Sequence, residues 1–439
     1  MSNVAIVGFG YIGSVLGAVL AESGHTVVGI DLNTALIERF RAGLCPIPEP
    51  ELQAIVTAQV AAGRLSFSTQ ISDIAHAEVI LLTVGTPMSA AYEADLSHLR
   101  GACNAMKPWM RDGQLVMLKS TVPPGVTRTI AHAILSPHAD IKVAFSPERL
   151  AEGQAVRDLR TLPIIVGGMD DASADAGEAF WRSSLKVEVI KVSSPESAEL
   201  VKLANNLWID LNIAVAHDLA KLCDALPYPV DVLEVIAGAN SLKKGQHYTN
   251  ILTPSNGVGG YCLTKDPWFV RAIGARYGVD LLTPGVSRTI NDSMPAYVAG
   301  RVLGGLADGG VKPADARIAV MGLAFKTNSG DLRFTPVGPF LDAMRGAGVT
   351  DLAVCDPVVL PEEAGHLGVT LVDDWREAVK GAHCVAFFAA HDPFVNIPLG
   401  ELAALAAPGA LIYDGRMYFT RDQIAALTAH GLRYKGVGR

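Results

Sequence analysis

The sequence predicts an α/β protein with two or three domains. Strand-like and helix-like apolar runs alternate along the chain, the pattern of sheets packed against helices. Half of the 439 residues are apolar, which is ample for several cores, and about 150 residues per domain gives the domain number. A strand–turn–helix–strand pattern occurs near each end of the chain, with helical sequence between. We therefore expect two α/β domains joined by a helical region.

Composition excludes several classes of partner. The net charge is −8 and no basic run is longer than Lys243-Lys244, so we expect no nucleic-acid partner. The six cysteines lack CxxC or Cys/His spacing, so we expect no metal site and reduced thiols in a cytoplasmic protein. The N-terminus lacks a basic signal region, and no apolar run reaches the ~20 residues that span a bilayer. An anionic substrate must then be bound by local cations.

The first α/β unit has a dinucleotide-binding fingerprint. A strand-like run, Val4 to Val7, leads into a GxGxxG turn, a helix-like run from Ile12 to Ser23, and a second strand from His25 to Ile30 that ends in Asp31. In this setting the glycines let the backbone approach a pyrophosphate, and the acid binds the adenosine ribose and repels a 2′-phosphate. The sequence therefore predicts NAD rather than NADP as the cofactor. The glycines are Gly8, Gly10 and Gly13.

Polar residues follow the next strands of this unit. Thr86 comes after the strand Glu78 to Val84, and Thr121 after the strand Leu115 to Lys119. The carboxyl ends of parallel strands line the cofactor cleft, although either threonine is equally explained as a helix N-cap. After the strand Lys142 to Phe145, the loop carries two carboxylates at i and i+4, which usually indicates a solvated acidic helix start. They are Glu148 and Glu152.

The longest helical pattern runs from Ser193 to Ala225. Its apolar residues recur almost all round, so we expect a buried helix, with a second copy of the chain as one possible partner. Lys202 and Asn206 share one face at i and i+4. A lysine in such surroundings needs an anionic partner or a task, unless its stem snorkels to the surface.

The stretch Asn256 to Phe269 is the strongest candidate for a reactive site. A second helical run, Val230 to Ala239, and a polar loop, 240–255, lead into glycines that let the backbone approach a ligand closely. A helix that starts after them places Cys262 and Asp266 on one face, with Lys265 turned away toward another ligand. A thiolate is a strong nucleophile, while the alternative is a buried structural cysteine in a glycine turn.

The last unit is a second α/β pattern without the glycine fingerprint. Helix-like sequence continues to about Leu306, and the segment Ala307 to Pro313 is the clearest linker. Four strands are predicted beyond it, together with a helix over Val337 to Gly346. The strands span Arg317 to Met321, Asp351 to Cys355, Cys384 to Ala389 and Ala410 to Tyr413. Two nucleotide-like ligands, one in each α/β domain, are the natural interpretation.

With these motifs assembled, the whole chain resembles the UDP-glucose/GDP-mannose dehydrogenase family, the nucleotide-sugar 6-dehydrogenases. The resemblance runs in order through GFGYIG, STVPPG, SPERLAEG, ELVKLANN, GGYCLTKD, GLAFKTNSGDLR and YDGR. It implies oxidation of the C6 alcohol of an NDP-hexose to a carboxylate with two NAD. It also implies an NAD-binding Rossmann domain (1–192), a central helical region that forms a homodimer (193–306) and a Rossmann-like nucleotide-sugar domain (307–439).

The resemblance also implies roles for single residues. Cys262 is the expected nucleophile, which captures the C6 aldehyde as a thiohemiacetal that is oxidised to a thioester. The groups expected to share proton transfer, hold water and stabilise oxyanions are Asp266, Lys202, Asn206, Thr121 and Glu148. The expected NAD contacts are Gly8, Gly10, Gly13, Asp31, Thr86, Thr121, Glu152 and Arg333. The expected substrate contacts are Lys202, Asn206, Tyr248, Gly259, Lys326 and Arg416.

Elementary chemistry agrees with these roles. A four-electron oxidation at one carbon passes through a reactive aldehyde, which a covalent bond to the enzyme retains. Lys265 resembles UDP-glucose enzymes, whereas Val258 and the run Asp266 to Phe269 resemble enzymes of UDP-N-acetylhexosamines. Tyr261 departs from both, since many glucose and mannose enzymes have a small residue there and the N-acetylhexosamine enzymes a histidine, although some UDP-glucose enzymes carry tyrosine. A UDP-sugar is therefore expected, with the sugar left open. Two alternatives are a two-electron 3-hydroxyacid or 6-phosphogluconate-type dehydrogenase and a non-catalytic sensor of NAD or nucleotide sugar.

Overall fold

A computed structural model describes residues 1–244 and 247–439 of the chain. The chain divides into two compact units, Met1–Asn205 and Asn206–Arg439. The predicted α/β class is confirmed, because each unit contains a mostly or wholly parallel sheet and helices lie between the two sheets in the sequence. Among the described residues, no helix is both long enough and apolar enough to cross a membrane.

The first unit is built on an eight-stranded sheet with the order β3-β2-β1-β4-β5-β6-β7-β8. Neighbouring strands are parallel except for β6 and β7, which are antiparallel. The strands are β1 Asn3–Val7, β2 Thr26–Ile30, β3 Leu65–Ser68, β4 Val79–Leu82, β5 Leu115–Leu118, β6 Lys142–Phe145, β7 Ile164–Gly168 and β8 Val189–Val192.

Alternating side chains of β1 pack into two hydrophobic cores on opposite faces of this sheet. Val4 and Ile6 pack into one core, and Ala5 and Val7 into the other, so both faces are covered and the strand reads as a continuous apolar run. The longer covering helices are Tyr11–Glu22, Thr34–Arg41, Leu52–Ala61, Ser97–Met106, Ala155–Thr161 and Asp171–Leu185. Shorter helical segments are Ile71–His76, Lys107–Trp109, Thr127–His132, Ala133–Leu135 and Ser136–His138.

The longest helix, Pro195–Ala225, contains the residue at which the two units divide. The expectation that it is buried almost all round is wrong for the single chain. A stripe of large apolar side chains is exposed along it, with relative exposures between 43% and 57%. We call this set the apolar stripe; its members are Leu200, Trp208, Val215 and Leu222.

The second unit contains a fully parallel five-stranded sheet with the order β12-β11-β13-β14-β15. Its strands are β11 Arg317–Met321, β12 Asp351–Cys355, β13 Cys384–Phe387, β14 Leu411–Asp414 and β15 Arg433–Gly436. The helices that follow the longest helix are Val232–Asn240, Tyr261–Arg276, Leu282–Asp308, Pro313–Asp315, Val337–Gly346, Pro361–Gly365, Trp375–Val379, Asp392–Val395, Leu399–Leu405 and Arg421–Ala429.

Two predicted segments differ from the structure. The loop 240–255 contains a short antiparallel pair, β9 Lys243–Lys244 with β10 His247–Tyr248, while residues 245 and 246 lie outside the described part. The helical sequence up to residue 306 is two helices, because the chain leaves the first at Tyr277 and enters the second at Leu282. Gly278, with φ +73°, makes this turn possible.

Candidate active site

The glycine turn after β1 has the geometry of a dinucleotide cradle. Gly8 has φ +95°, and a Cβ there would lie 2.8 Å from the Val84 nitrogen, so only glycine fits. A Cβ on Gly13 would lie 2.3 Å from the Gly8 carbonyl oxygen, which makes this glycine a packing requirement between helix and strand. A Cβ on Gly10 would meet no atom within 4 Å, so this position is open to a ligand. These are the three separate roles that a pyrophosphate-binding turn requires.

Asp31 is joined to this turn. Its Oδ2 accepts a hydrogen bond from the Phe9 nitrogen at 2.8 Å, and its Oδ1 accepts one from the Asn33 nitrogen at 2.9 Å. The carboxylate is only partly buried and follows β2, beside the glycine turn. Besides its expected contact with a ribose, Asp31 therefore orders the backbone between Gly8 and Gly10.

The threonines of the first unit follow neighbouring strands, as predicted. Thr86 is buried after β4, and Thr121 is partly exposed after β5. Ser120 links the two turns, because its hydroxyl donates to the Val84 carbonyl at 2.7 Å. Thr121 does not cap the following helical segment. The backbone amides of Gly125 and Thr127, which lie just before and at the start of that segment, instead donate to the Glu199 carboxylate at 2.6 Å and 2.7 Å.

Glu148 is not a solvated acid at a helix start, which corrects the local interpretation of this loop. Its side chain is only 11% exposed, and its Oε2 lies 3.6 Å from Nζ of Lys202, whose side chain is 7% exposed. The Leu150 amide also donates to its Oε1. The prediction that Lys202 has an anionic partner is therefore confirmed within the first unit, and snorkelling is excluded.

A second buried lysine lies near this ion pair. Nζ of Lys119 donates to the Ser146 carbonyl at 3.1 Å and lies 4.7 Å from the centre of the Trp181 ring. Burial lowers the pKa of Lys119 to about 8, partly opposed by the charge of Glu148. A small cavity lies beside both side chains. The sequence offered one signal for this lysine, a cation at the end of an apolar strand.

Glu152 lies in a turn that another distant acid holds. The Glu49 carboxylate accepts hydrogen bonds from the amides of Gly153 at 2.6 Å and Ala155 at 2.7 Å, and from the Tyr11 hydroxyl. Burial, then the Glu49 contact, raises the pKa of Tyr11 well above its usual value. The turn is thus tied through Glu49 to Tyr11, which lies inside the glycine fingerprint, and sequence reasoning missed Glu49.

In the second unit, Cys262 lies in the first turn of the helix Tyr261–Arg276 and is exposed. The buried structural alternative for this cysteine is therefore wrong. An exposed thiol at this position is accessible to a substrate. No disulfide joins any of the six cysteines, all of which lie in the described residues.

Asp266 shares the helix with Cys262 but faces inward. It is fully buried, and both of its oxygens are engaged, Oδ1 by Nζ of Lys265 at 2.6 Å and Oδ2 by Nδ2 of Asn206 at 2.5 Å. Lys265 is buried as well, with Nζ 4.4 Å from the centre of the Phe269 ring. The expectation that Lys265 serves a separate ligand is wrong, because it neutralises Asp266.

The glycines before Cys262 also allow close packing against the protein's own chain. A Cβ on Gly259 would lie 2.4 Å from Cβ of Phe325, and a Cβ on Gly260 would lie 2.8 Å from the ring of Phe325. The Gly260 nitrogen donates to the Arg333 carbonyl at 2.9 Å. The loop that carries Cys262 is therefore fixed to the loop after β11.

A buried arginine supports the helix of Cys262. Pro267 has no N–H to donate to the Leu263 carbonyl, four residues before it in the helix. Nη1 of Arg288 donates to this carbonyl at 3.3 Å and to Oδ1 of Asp210 at 2.6 Å. Arg288 and Asp210 are both almost completely buried, and sequence reasoning missed them.

The other expected substrate contacts, and Arg333 as an expected NAD contact, lie in the second unit. Arg416 follows β14, and its guanidinium donates to the Phe325 carbonyl; burial lowers its pKa to about 10, so it stays a cation at neutral pH. Lys326 is partly buried on the loop after β11. Tyr248 is 70% exposed in β10. Arg333 bonds to Asp331, with Nη2 2.5 Å from Oδ2.

Family models match nearly the whole chain in three consecutive parts. The NAD-binding domain of the UDP-glucose/GDP-mannose dehydrogenase family matches residues 2–185. The central domain of the same family matches residues 196–293, and its UDP-binding domain matches residues 319–421.

Individual proteins match along the full length. The UDP-N-acetyl-D-mannosamine dehydrogenase of Pyrococcus horikoshii is 32% identical over 442 residues, which cover 100% of this chain and 99% of that one. An NDP-N-acetyl-D-galactosaminuronic acid dehydrogenase of Ralstonia nicotianae is 31% identical, with coverages of 97% and 98%. The solved structure of a UDP-glucose dehydrogenase from Pyrobaculum islandicum is similar with a TM-score of 0.87 at 27% identity, covering 100% of this chain and 98% of that one.

Proposed function

Since the chain belongs to the UDP-glucose/GDP-mannose dehydrogenase family and is an NAD-dependent nucleotide-sugar dehydrogenase, we propose that it oxidises a UDP-N-acetylhexosamine to its uronate through a covalent bond to Cys262. The observation that carries the proposal is the exposed Cys262 at the amino end of a helix that buried charges hold in place. A two-electron hydroxyacid dehydrogenase would not need this thiol.

The first unit has the residues that fit NAD. The open position at Gly10, the close packing at Gly8 and Gly13, and the carboxylate of Asp31 would hold its pyrophosphate and adenosine ribose. Thr86, Thr121 and Glu152 are proposed to line the same cleft, and Arg333 is proposed to contact NAD. Bound NAD supplies the hydride acceptor for each of the two oxidations.

The chain's own part in the chemistry centres on Cys262. The thiolate adds to the C6 aldehyde that the first oxidation leaves, forming a C–S bond and placing negative charge on oxygen. Lys202 is proposed to donate to this oxyanion, and one such donor is worth about 3 kcal/mol. After the second oxidation the C6–S bond is a thioester. Addition of water breaks that bond, releases the carboxylate and restores the thiol.

The structure favours different tasks for the two carboxylates. Asp266 already accepts from Lys265 and Asn206 and is fully buried, so we propose that it orients the Asn206 amide and does not remove protons itself. Glu148 keeps some exposure and is bound to Lys202 at a longer distance, 3.6 Å. We propose that Glu148 polarises the water that hydrolyses the thioester. Tyr248, Gly259, Lys326 and Arg416 are proposed to contact the nucleotide sugar.

The choice of sugar rests on the relatives. The two curated relatives named above are, by their names, dehydrogenases of N-acetylated nucleotide sugars. UDP-N-acetyl-D-mannosamine is therefore the first substrate to test and UDP-glucose the second. We keep the division into 1–192, 193–306 and 307–439 and the homodimer as parts of this proposal. The exposed apolar stripe supports the homodimer.

Stoichiometry and one substitution test the proposal together. Purified protein is mixed with NAD and either UDP-N-acetyl-D-mannosamine, UDP-N-acetylglucosamine, UDP-glucose or GDP-mannose, and NADH is followed by absorbance while the uronate is quantified. We expect two NADH per uronate with one of the acetylated sugars. A ratio of one would contradict the thioester route and favour a two-electron dehydrogenase, and no turnover with any sugar would favour a sensor.

The matched substitutions are Cys262→Ala and Cys45→Ala. We expect Cys262→Ala to abolish uronate formation while NAD affinity, measured by calorimetry, stays within about twofold, because the dinucleotide cradle lies in the first unit. Cys45→Ala, at a partly buried cysteine of that unit, should leave turnover unchanged. Full turnover by Cys262→Ala would refute the nucleophile.

A further inference from the structure

A buried carboxylate of the first unit has no place in the chemistry described so far. Glu199 lies on the helix Pro195–Ala225, three residues before Lys202, and its side chain is fully buried. Its Oε2 accepts from the Gly125 nitrogen at 2.6 Å, and its Oε1 accepts from the Thr127 nitrogen at 2.7 Å. Both amides follow directly after the Thr121 turn. One side chain thus bonds two elements that lie more than 70 residues apart in the sequence.

The surroundings of Glu199 are unfavourable for a charge. The apolar core on this face of the sheet includes Val122, Val126 and Ala198. Burial raises the pKa of Glu199 to about 7, although the bonds from Thr127 and Gly125 oppose the shift. An apolar residue would avoid this desolvation cost, so the carboxylate is retained at the expense of folding stability. Its contribution is the fixed position of the two backbone amides.

We propose that Glu199 is a positioning residue whose carboxylate clamps the Thr121 turn to the helix that carries Lys202. The inference rests on the proposed function, because the tasks of Thr121 and Lys202 come from it. The positive φ of Gly125, +93°, aims its amide at the carboxylate, so the turn is shaped for this contact. A clamp of this kind fixes a cofactor-lining turn relative to the oxyanion donor, and a misplacement of 1 Å at such a site lowers rates by about 100-fold.

As the pH rises, the hydrogen bonds of the clamp strengthen while the contribution of Glu199 to folding stability falls. The charged neighbours that face Glu199 are Glu196 on its own helix and Arg128 on the clamped segment, which pair with each other at 2.7 Å. Protonation removes the negative charge of the acceptor, so the bonds from the two amides weaken as the pH falls through about 7. Because the folded pKa lies above the usual value of 4.5, ionisation of Glu199 lowers folding stability as the pH rises from 4.5 through 7. The hydrogen bonds from the two amides to Glu199 are therefore stronger at pH 8, whereas burial of Glu199 lowers folding stability less at pH 5.

Hydrogen exchange of the full chain tests the clamp without any turnover. Peptides covering residues 121–132 are followed by mass spectrometry in the wild type, Glu199→Gln and the matched control Glu196→Gln. We expect protection of the Gly125 and Thr127 amides to fall by about tenfold or more in Glu199→Gln, since bonds to a charged acceptor are lost. The exposed pair of Glu196 with Arg128 should matter little, so the control should keep wild-type protection. Equal protection in all three proteins, or equal loss in both variants, would overturn the proposal.

The wild type alone gives a second test that does not depend on a variant folding. After correction for intrinsic exchange rates, protection of these two amides should fall between pH 8 and pH 6, while peptides from β1 keep theirs. Constant protection across this range would contradict the clamp.

Kinetics separate this inference from the proposed function. With NAD and UDP-N-acetyl-D-mannosamine, wild-type kcat should fall below pH 7, and Glu199→Gln should lose about 10- to 100-fold in kcat at pH 8 together with that pH step. If the wild type turns over none of the nucleotide sugars, the proposed function fails, while the exchange experiment still decides whether the clamp exists. A Glu199→Gln enzyme with wild-type kcat and the same pH profile would refute the positioning role.

Discussion

Single residues in the first unit combine two tasks that sequence motifs treat as one. Asp31 is proposed to bind the adenosine ribose, and its Oδ2 also accepts a hydrogen bond from the Phe9 amide of the glycine turn at 2.8 Å. Loss of its charge and loss of its hydrogen bonds are therefore separable effects. Charge determines whether a 2′-phosphate is repelled, whereas the hydrogen bonds order the pyrophosphate cradle.

Two substitutions at this residue should give different results. Asp31→Asn keeps an oxygen that accepts from Phe9 or Asn33 but removes the charge, so we expect the preference for NAD over NADP to fall by about tenfold or more. Asp31→Ala removes the acceptor as well and should also weaken NAD binding. Calorimetric affinities for NAD and NADP measure both effects. An unaltered preference in Asp31→Asn would argue against the ribose role.

At the scale of elements, buried charges hold helix starts and turns in place. Glu49 binds the turn of Gly153, Glu199 binds the turn of Gly125, and Arg288 binds the carbonyl that Pro267 leaves without a helical donor. A neutral histidine adds a fourth contact, because burial lowers the pKa of His217 to about 3 and its Nε2 accepts from the Ser255 amide at 3.1 Å. Each contact fixes a loop or helix start within its own unit.

Arg288 provides the sharpest test of this principle. Removing one partner of a buried ion pair leaves an uncompensated charge, here Asp210, and costs about 3–5 kcal/mol. We expect Arg288→Met to lower the free energy of unfolding by that amount and Arg288→Lys to lower it less, with kcat reduced in both because the Cys262 helix loses its support. Denaturant unfolding and steady-state rates measure these effects.

Arg271→Met is the control for Arg288. Arg271 is exposed on the same helix as Cys262, and its guanidinium lies 5.8 Å from the centre of the Trp268 ring. Its loss should change the unfolding free energy by less than about 0.5 kcal/mol, as is usual at the surface. A loss in Arg288→Met no larger than in this control would contradict the supporting role.

Sequence periodicity predicted the regular elements well because it reports burial along a single element. The runs Arg317 to Met321 and Val337 to Gly346 match the observed strand and helix to the residue. It could not predict which distant acid faces which amide, as with Glu199 and Gly125, since such contacts are set by packing between elements. For the same reason Glu148 was misread as solvated, when Lys202 lies beside it, and the packing of Phe325 against the glycines before Cys262 was not foreseen.

For the whole molecule, the exposed apolar stripe of the longest helix is the feature that needs an explanation. Its four side chains recur every seven or eight residues, so they lie along one side of the helix over more than six turns. An apolar stripe of this length is unfavourable in water and is typical of a helix that packs against an equivalent helix. A two-fold dimer would bring the two stripes together, in keeping with the proposed central dimerisation region.

Charge introduced into the stripe tests the dimer. We expect wild-type protein to elute as a dimer in size-exclusion chromatography with light scattering. Val215→Glu should raise the dissociation constant by more than about 100-fold, because an unpaired carboxylate buried in an interface costs at least about 3 kcal/mol. Leu360→Glu, at a leucine of similar exposure outside the stripe, should leave the mass unchanged. A Val215→Glu protein that stays dimeric at nanomolar concentration would show that another surface joins the subunits, and a monomeric wild type would show that the stripe serves another partner.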